Sequence, residues 1–219
     1  MSSPVGGRHP AVSAETLGLA AVVLLAVQPL VVVALHVIQP EVDPLRSFDS
    51  EYALGRIGWL RNVGFLTTGL GAVVLAAGLR MSLQPGKRVW LGLLSLGLSG
   101  LAQFGTGLFN ADRPLADGTV GYTVSGQLHT LFGIASFLGL VVAVFVLAGV
   151  FVRDPRWQRL ARPTRWFAWW LIAALLAEIV LGELTGLPGL VQRIVTVPTY
   201  IWPIVVGWQV HRLPARFTT

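Results

Sequence analysis

The residues of this sequence that could do chemistry stand at the edges of long apolar runs. Asp112 and Arg113 lie in the stretch GLFNADRP, His129 stands just inside the apolar run that follows, and Glu178 interrupts a later run. A histidine oriented by a carboxylate is a common general base. His129 with Asp112 or Glu178 is therefore a candidate catalytic pair, and the sequence contains no nucleophile elbow, phosphate-binding loop or dinucleotide fingerprint that would name a reaction.

Other polar residues at the ends of apolar runs could bind a ligand. Arg193 suits a phosphate or a carboxylate, because its guanidinium donates two parallel hydrogen bonds. Two histidines with one carboxylate could also hold zinc, although the spacing of His36 and His129 makes no metal site specific. The candidate ligand-binding residues are Asp112, His129, Glu178, Gln192, Arg193, Ser50, Asn62 and His36.

The composition identifies the setting in which these residues act. The chain has 219 residues, of which 54% are hydrophobic and only 12% are charged, and its mean hydropathy is +0.70. Soluble domains carry roughly 25% charged residues, so this composition indicates an integral membrane protein. Cysteine is absent, which excludes disulfides and thiolate chemistry, and the net charge of +6 is not evidence for nucleic-acid binding in a membrane chain.

Six apolar segments are long enough to cross a bilayer, which takes about 20 residues. The predicted fold class is an all-α integral membrane bundle, since backbone groups in lipid must bond within their own helix. Residues 15–213 form one predicted domain between short tails at 1–14 and 214–219. The predicted spans are 16–38, 60–80, 88–109, 125–152, 166–187 and 191–211.

The distribution of basic residues predicts the orientation. With both termini placed in the cytoplasm, eleven of the 16 Lys and Arg residues fall on the inner side. Cytoplasmic loops of membrane proteins carry such an excess. The excess of arginine over lysine and the abundance of Ala, Gly and Val are typical of a GC-rich bacterial genome, which predicts the bacterial cell (inner) membrane.

In this orientation the polar candidates gather at the outer end of the bundle. The polar segment between the first two spans contains Pro40 and Pro44, which end the first helix. Asp49 or Ser50 is a suitable cap for a short helix beginning near Glu51, and this helix is expected to lie over the outer face as a lid. Ser125 is a plausible N-cap of the fourth span.

Two further polar residues lie in or beside the spans themselves. Arg61 is expected to extend its guanidinium to the membrane interface. Gln28 is expected to bond the carbonyl that Pro29 leaves free.

The sequence resembles a bacterial six-helix membrane family known only as domain of unknown function nine hundred and ninety-eight. The resemblance rests on PEVDPLRSFDSEYALGRIGWLRNVGFLTTGL followed by LAAGLR, on GLFNADRP followed by GQLHTLFGIASF, and on GLVQRI. It implies a shared fold and an outer site that includes Asp112, His129, Gln192 and Arg193. Ser50 matches a serine of the family, although FDSEYALG departs from its pattern, and the resemblance implies no activity or cofactor.

Three functions are compatible with these residues. The first is a binding or accessory membrane protein whose outer pocket holds a lipid headgroup or a small polar ligand. The second is a membrane-embedded hydrolase or transferase that uses His129 with Asp112 or Glu178, and the third is a small transporter. The plain alternative is that the polar residues only hold helix ends together. The sequence identifies no cofactor, no protein partner and no oligomeric state.

Overall fold

The computed structural model describes residues 12–113 and 121–213, without the side chain of residue 183. Most of the first predicted tail and all of the second lie outside these ranges, as does Asp117, an acidic residue between the third and fourth predicted spans. Six long helices and one short 3-10 helix, η1, make up the regular structure of the described ranges. They are α1 (Ala14–Ile38), η1 (Asp49–Leu54), α2 (Trp59–Ser82), α3 (Lys87–Leu108), α4 (Val124–Phe151), α5 (Gln158–Thr185) and α6 (Pro188–Arg212).

The six long helices form a closed ring. Each packs against its neighbours in sequence, α6 returns to α1, and α2 also touches α6 across the ring. All six are long and apolar enough to cross a membrane. Large apolar side chains such as Leu30, Val33 and Leu98 are about two-thirds exposed, which a soluble bundle would avoid but a lipid-facing surface requires.

Close helix contacts depend on glycine. A Cβ on Gly18 of α1 would lie 2.4 Å from the backbone nitrogen of His211 in α6, and one on Gly69 of α2 would lie 2.5 Å from that of Phe104 in α3. Small residues at such crossings let membrane helices approach until their backbones touch. These glycines therefore fix the ring at two of its interfaces.

The bundle has two distinct ends. The terminal end carries the first and last described residues together with the α2–α3 and α4–α5 connections. The lid end, predicted to be the outer one, carries the other three connections. We use "lid" for residues 39–58, which include η1 and join α1 to α2.

The lid is anchored by its own buried residues. Tyr52 of η1 is fully buried against Val31 and Leu35 of α1. Burial raises the pKa of the Tyr52 phenol above its usual value, so its hydroxyl stays protonated and donates to the Val42 carbonyl. The short helix of the sequence prediction is therefore present, but Phe48 occupies its N-cap position, and neither Asp49 nor Ser50 does.

The predicted spans agree with the helices to within about three residues, except at the start of α5. That helix begins at Gln158, eight residues before the predicted span. Hydropathy locates the apolar part of a helix, whereas the first turns of α5 carry Arg159, Arg162 and Arg165. A helix can extend beyond its apolar part because its backbone bonds do not depend on lipid.

Candidate functional site

The polar residues of the lid end fall into two groups, and the first is built around a buried ion pair. Arg61 is only 1% exposed, and its guanidinium pairs with the Asp49 carboxylate, which is also buried. Arg61 Nε donates to the Asp49 carbonyl at 3.2 Å, and the guanidinium carbon lies 3.6 Å from the centre of the Phe65 ring. The prediction that Arg61 extends to the membrane interface is therefore wrong.

This ion pair continues inward through amide and phenol groups. Arg61 Nη1 donates to Gln28 Oε1 at 2.8 Å, and Gln28 Nε2 donates to the Tyr200 hydroxyl at 3.1 Å. Gln28 lies ten residues before the end of α1, roughly 15 Å into the bundle. The expectation that Gln28 bonds the carbonyl freed by Pro29 is wrong. Its amide oxygen accepts from Arg61 instead, and its amide nitrogen donates to the Tyr200 hydroxyl.

Glycine makes room for the chain of polar groups. A Cβ on Gly64 would lie 2.3 Å from Gln28 Oε1 and 3.1 Å from Arg61 Nη1. Any larger residue would push the amide away from the guanidinium. The sequence signal for this cluster was present, since Gln28 and Arg61 interrupt apolar runs, but nothing in the sequence paired them.

Gln192 links the lid to α5 and α6. Its Oε1 accepts from the Asp49 backbone nitrogen at 2.7 Å. The Gln192 side chain also lies near the half-buried Glu178 of α5. Because Oε1 is engaged by Asp49, the amide nitrogen is the atom that can donate to the Glu178 carboxyl.

Arg193 is held in place by three acceptors. Its Nε donates to His36 Nε2 at 3.1 Å, while Nη1 donates to the Ser47 and Gly189 carbonyls, both at 2.9 Å. His36 Nδ1 lies 2.6 Å from the Val32 carbonyl, which fixes the proton on Nδ1 and leaves Nε2 to accept.

One nitrogen of the Arg193 guanidinium is left over. Nη2 is buried and has no hydrogen-bond partner within the described part of the chain. Arg193 also forms no ion pair with a described carboxylate. We call the residues around these two arginines the lid group: His36, Asp49, Arg61, Glu178, Gln192 and Arg193, with Gln28 and Tyr200 beneath them.

The second group closes the ends of α3 and α4. His129 Nδ1 donates to the carbonyls of Thr106 and Phe109, at 3.1 and 2.8 Å. These are carbonyls of the last turn of α3 and its C-cap, which lack partners inside the helix. His129 is buried, and among the described residues it has no carboxylate partner.

Asp112 serves the start of α4 rather than His129. It accepts from the backbone nitrogen and the hydroxyl of Thr123, which is the N-cap of α4. Ser125 is therefore not the cap, and its hydroxyl instead donates to the Asn110 carbonyl. We call Asn62, Asn110, Asp112, Thr123, Ser125 and His129 the helix-end group.

Phe65 stands between the two groups. One contact of its ring is with the Arg61 guanidinium and the other is an edge contact with His129, whose ring centre lies 5.7 Å away. The predicted candidates are therefore divided. Asp112, His129 and Asn62 lie in the helix-end group, whereas His36, Glu178, Gln192 and Arg193 lie in the lid group, and Ser50 lies in η1 beside Asp49 without a side-chain hydrogen bond among the described residues.

The possible metal ligands are also divided between the two groups. Across residues 12–113 and 121–213, no three His, Asp or Glu side chains gather as a metal site would need. His36 and His129 belong to different groups, and both ring nitrogens of His36 are already engaged. The geometry does not bring together the zinc ligands considered from the sequence.

Fold and polar clusters together define a six-helix integral membrane protein with a lidded polar end. The chain belongs to a family described as "Protein of unknown function (DUF998)", whose model matches residues 19–209. No curated protein and no solved structure matches the chain.

Proposed function

We propose that this protein binds an anionic group at its lid end, as a lipid headgroup or a small polar ligand, with Arg193 as the main donor. The single observation that carries the proposal is the buried Nη2 of Arg193, which has no partner in the described part of the chain. A buried charged donor without a partner costs more than a neutral one, so a ligand oxygen at this atom would relieve the cost.

The other bonds of Arg193 prepare it for this role. His36, Ser47 and Gly189 hold the guanidinium in one orientation, so little side-chain freedom remains to be lost on binding. One oxygen of the Asp49 carboxylate pairs with Arg61, and Asp49 forms no ion pair with Arg193. With Nε and Nη1 engaged, Nη2 is the atom that remains to donate to a phosphate or carboxylate oxygen.

The lid controls access to Arg193. The Ser47 carbonyl belongs to the lid and bonds Nη1, while the Leu190 backbone nitrogen donates to Leu45 of the lid at 3.0 Å. Because Nη2 is buried, the lid moves aside before a ligand reaches it and then closes over the bound group.

Catalysis by His129 with Asp112 draws no support from the arrangement. His129 donates to two α3 carbonyls and Asp112 bonds the cap of α4, so Asp112 does not orient His129 as a catalytic pair would require. Transport has one supporting observation, the chain from Asp49 through Arg61 and Gln28 to Tyr200, which brings polar groups to mid-bundle depth. Binding remains the stronger proposal because it explains an unpartnered charge.

The decisive experiment uses full-length protein in mild detergent and native mass spectrometry. Wild type, Arg193→Gln and Arg193→Lys are titrated with phosphatidylglycerol, phosphatidylethanolamine and inorganic phosphate. We expect the wild type to retain one of these probes and Arg193→Gln to bind it about tenfold or more weakly, with partial recovery in Arg193→Lys.

Arg113→Gln is the matched control. Arg113 also lies at the lid end and donates to the Leu54 carbonyl of the lid, but it is not next to the unpartnered nitrogen. Equal binding by wild type and Arg193→Gln would overturn the proposal. So would an equal loss in Arg113→Gln, because that would indicate a general effect of charge or of lid anchoring.

We also infer that the protein lies in the bacterial cell membrane with both termini in the cytoplasm and with lipids as its surroundings. The excess of Lys and Arg at the terminal end supports this orientation. A C-terminal alkaline phosphatase fusion should be inactive and a C-terminal fluorescent fusion bright in bacterial cells. An active phosphatase fusion would show that the C-terminus lies outside the cytoplasm, opposite to the inferred orientation.

A further inference from the structure

A second candidate site lies at the terminal end, far from Arg193. Here the α2–α3 connection faces the α4–α5 connection across a pocket of about 440 Å³. Small-molecule sites typically occupy roughly 300–1,000 Å³. The floor and walls include the buried apolar residues Leu83, Val89 and Val150, and the polar lining includes Lys87, Arg88 and Arg153.

The charges of this pocket are strongly one-sided. Lys87, Arg88 and Arg153 make no ion pair with a described carboxylate. The one acid in the lining, Asp154, is held by Arg156, whose Nη2 lies 3.1 Å from Asp154 Oδ2. Arg156 also bonds the Ser82 carbonyl, so it fixes this acid to the end of α2. Three exposed cations therefore line the pocket while its acid is already paired.

The start of α3 adds to the positive potential. Gly86 is the N-cap of α3 and provides no side-chain cap, so the first backbone N–H groups of the helix lack partners from their own helix. Gly86, Lys87 and Arg88 all line the pocket. The positive end of the helix dipole thus adds to the positive potential that these cations create in the pocket.

We propose that this pocket binds a phosphate group, with Lys87 and Arg88 on one wall and Arg153 on the other. Basic pockets between membrane helices are suited to the headgroups of anionic lipids. The volume exceeds what a bare phosphate needs, so the phosphate carries an organic group that lies on Leu83, Val89 and Val150. The same chemistry fits two sources, a phospholipid headgroup or a soluble phosphate ester, and the site is independent of the one at Arg193.

The test compares charge-matched variants of the full-length protein by native mass spectrometry. Phosphatidylglycerol is titrated into wild type, Lys87→Gln/Arg88→Gln and Arg159→Gln/Arg162→Gln. The last variant removes two exposed arginines from the same end of the bundle that do not line the pocket. We expect binding to weaken about tenfold or more in the first double variant and less than about threefold in the control.

Two further variants separate binding from folding. Arg153→Gln removes a cation from the opposite wall and should weaken binding in the same direction, whereas Lys87→Arg/Arg88→Lys keeps the charge and should bind like wild type. Equal binding in wild type and Lys87→Gln/Arg88→Gln overturns the proposal. An equal loss in the Arg159→Gln/Arg162→Gln control also overturns it, because attraction to the whole surface would then suffice.

A competition arm identifies the source of the phosphate. Displacement of bound phosphatidylglycerol by millimolar glycerol 3-phosphate, lost in Lys87→Gln/Arg88→Gln, supports the site and assigns it to soluble phosphate esters. Retention of the lipid in the presence of glycerol 3-phosphate supports the site and assigns it to a headgroup. Every protein in this assay also carries Arg193→Gln, so the lid-end site does not contribute to the phosphatidylglycerol signal. Failure here is therefore distinguishable from failure of the lid-end proposal.

Discussion

The lid group and the helix-end group lie side by side, but their polar side chains bond different kinds of partner. In the helix-end group, polar side chains bond backbone atoms that α3 and α4 leave unpaired, as His129 does for Thr106 and Phe109. In the lid group, charged side chains bond one another and the lid. Its unpartnered atoms include Arg193 Nη2 and Asp49 Oδ1, whereas the unpartnered atom of the helix-end group is the neutral Asn62 Oδ1.

This difference indicates which of the two groups is available to bind a ligand. Polar groups that finish helix ends use most of their hydrogen-bonding capacity on the backbone. A charged group that the fold holds but does not fully satisfy is the better candidate for a ligand. The comparison therefore moves the functional interest from His129 and Asp112 to Arg193, and the variants below test it.

The largest effect is expected from breaking the buried ion pair. Asp49→Ala should lower the free energy of unfolding by about 3–5 kcal/mol, because it leaves the Arg61 guanidinium buried without its partner. Thermal unfolding in detergent measures the loss. Asp43→Ala is the matched control, since the Arg46–Asp43 pair is 74% and 43% exposed and such pairs contribute less than about 1 kcal/mol. Similar losses in both variants would contradict the burial of Arg61.

An intermediate effect is expected where the lid meets α6. A Cβ on Gly189 would lie 2.4 Å from the Ser47 carbonyl and 2.8 Å from the Pro44 carbonyl. Gly189→Ala should therefore push the lid outward, cost about 1–3 kcal/mol and speed hydrogen exchange in residues 44–55.

Gly133→Ala is the control for that variant, because nothing lies within 4 Å of its added Cβ. It should leave lid exchange unchanged and stabilise α4 slightly. Unchanged lid exchange in Gly189→Ala would show that the lid is not held by this contact.

The smallest effect is expected from the helix-end group. His129→Ala removes a donor to two α3 carbonyls, and hydrogen bonds between membrane helices contribute about 0.6–2 kcal/mol. Unfolding stability should fall by that amount, while anion binding that depends on Arg193 stays within about twofold of wild type. A loss of binding as large as that of Arg193→Gln would restore His129 as a site residue and erase the contrast between the two groups.

Much of the fold could be predicted because lipid imposes its own rules on sequence. The apolar lengths predicted six helices, and the polar segment after Ile38 predicted a short helix in the lid. The placement of Arg61 failed for a physical reason. Arginine at a helix end can reach either water or a buried acid, and hydropathy does not distinguish these outcomes.

The sequence predicted which residues belong to the candidate site but not which of them contact one another. The sequence singled out His36, Gln192 and Arg193, and all three lie in the lid group. It also grouped them with His129 and Asp112, which Phe65 separates from them. Depth along a helix follows from residue counting, whereas the direction in which a side chain points depends on how α2, α3 and α4 pack.

The sequence by itself determined that this is a membrane bundle of six helices with its polar residues concentrated at helix ends. It could do so because length and hydropathy are local properties of each segment. Only the tertiary structure decided that Asp49 pairs with Arg61, that His129 serves α3, and that one nitrogen of Arg193 is left without a partner. Those outcomes depend on contacts between residues up to 157 positions apart, such as Arg193 and His36, which no local pattern encodes.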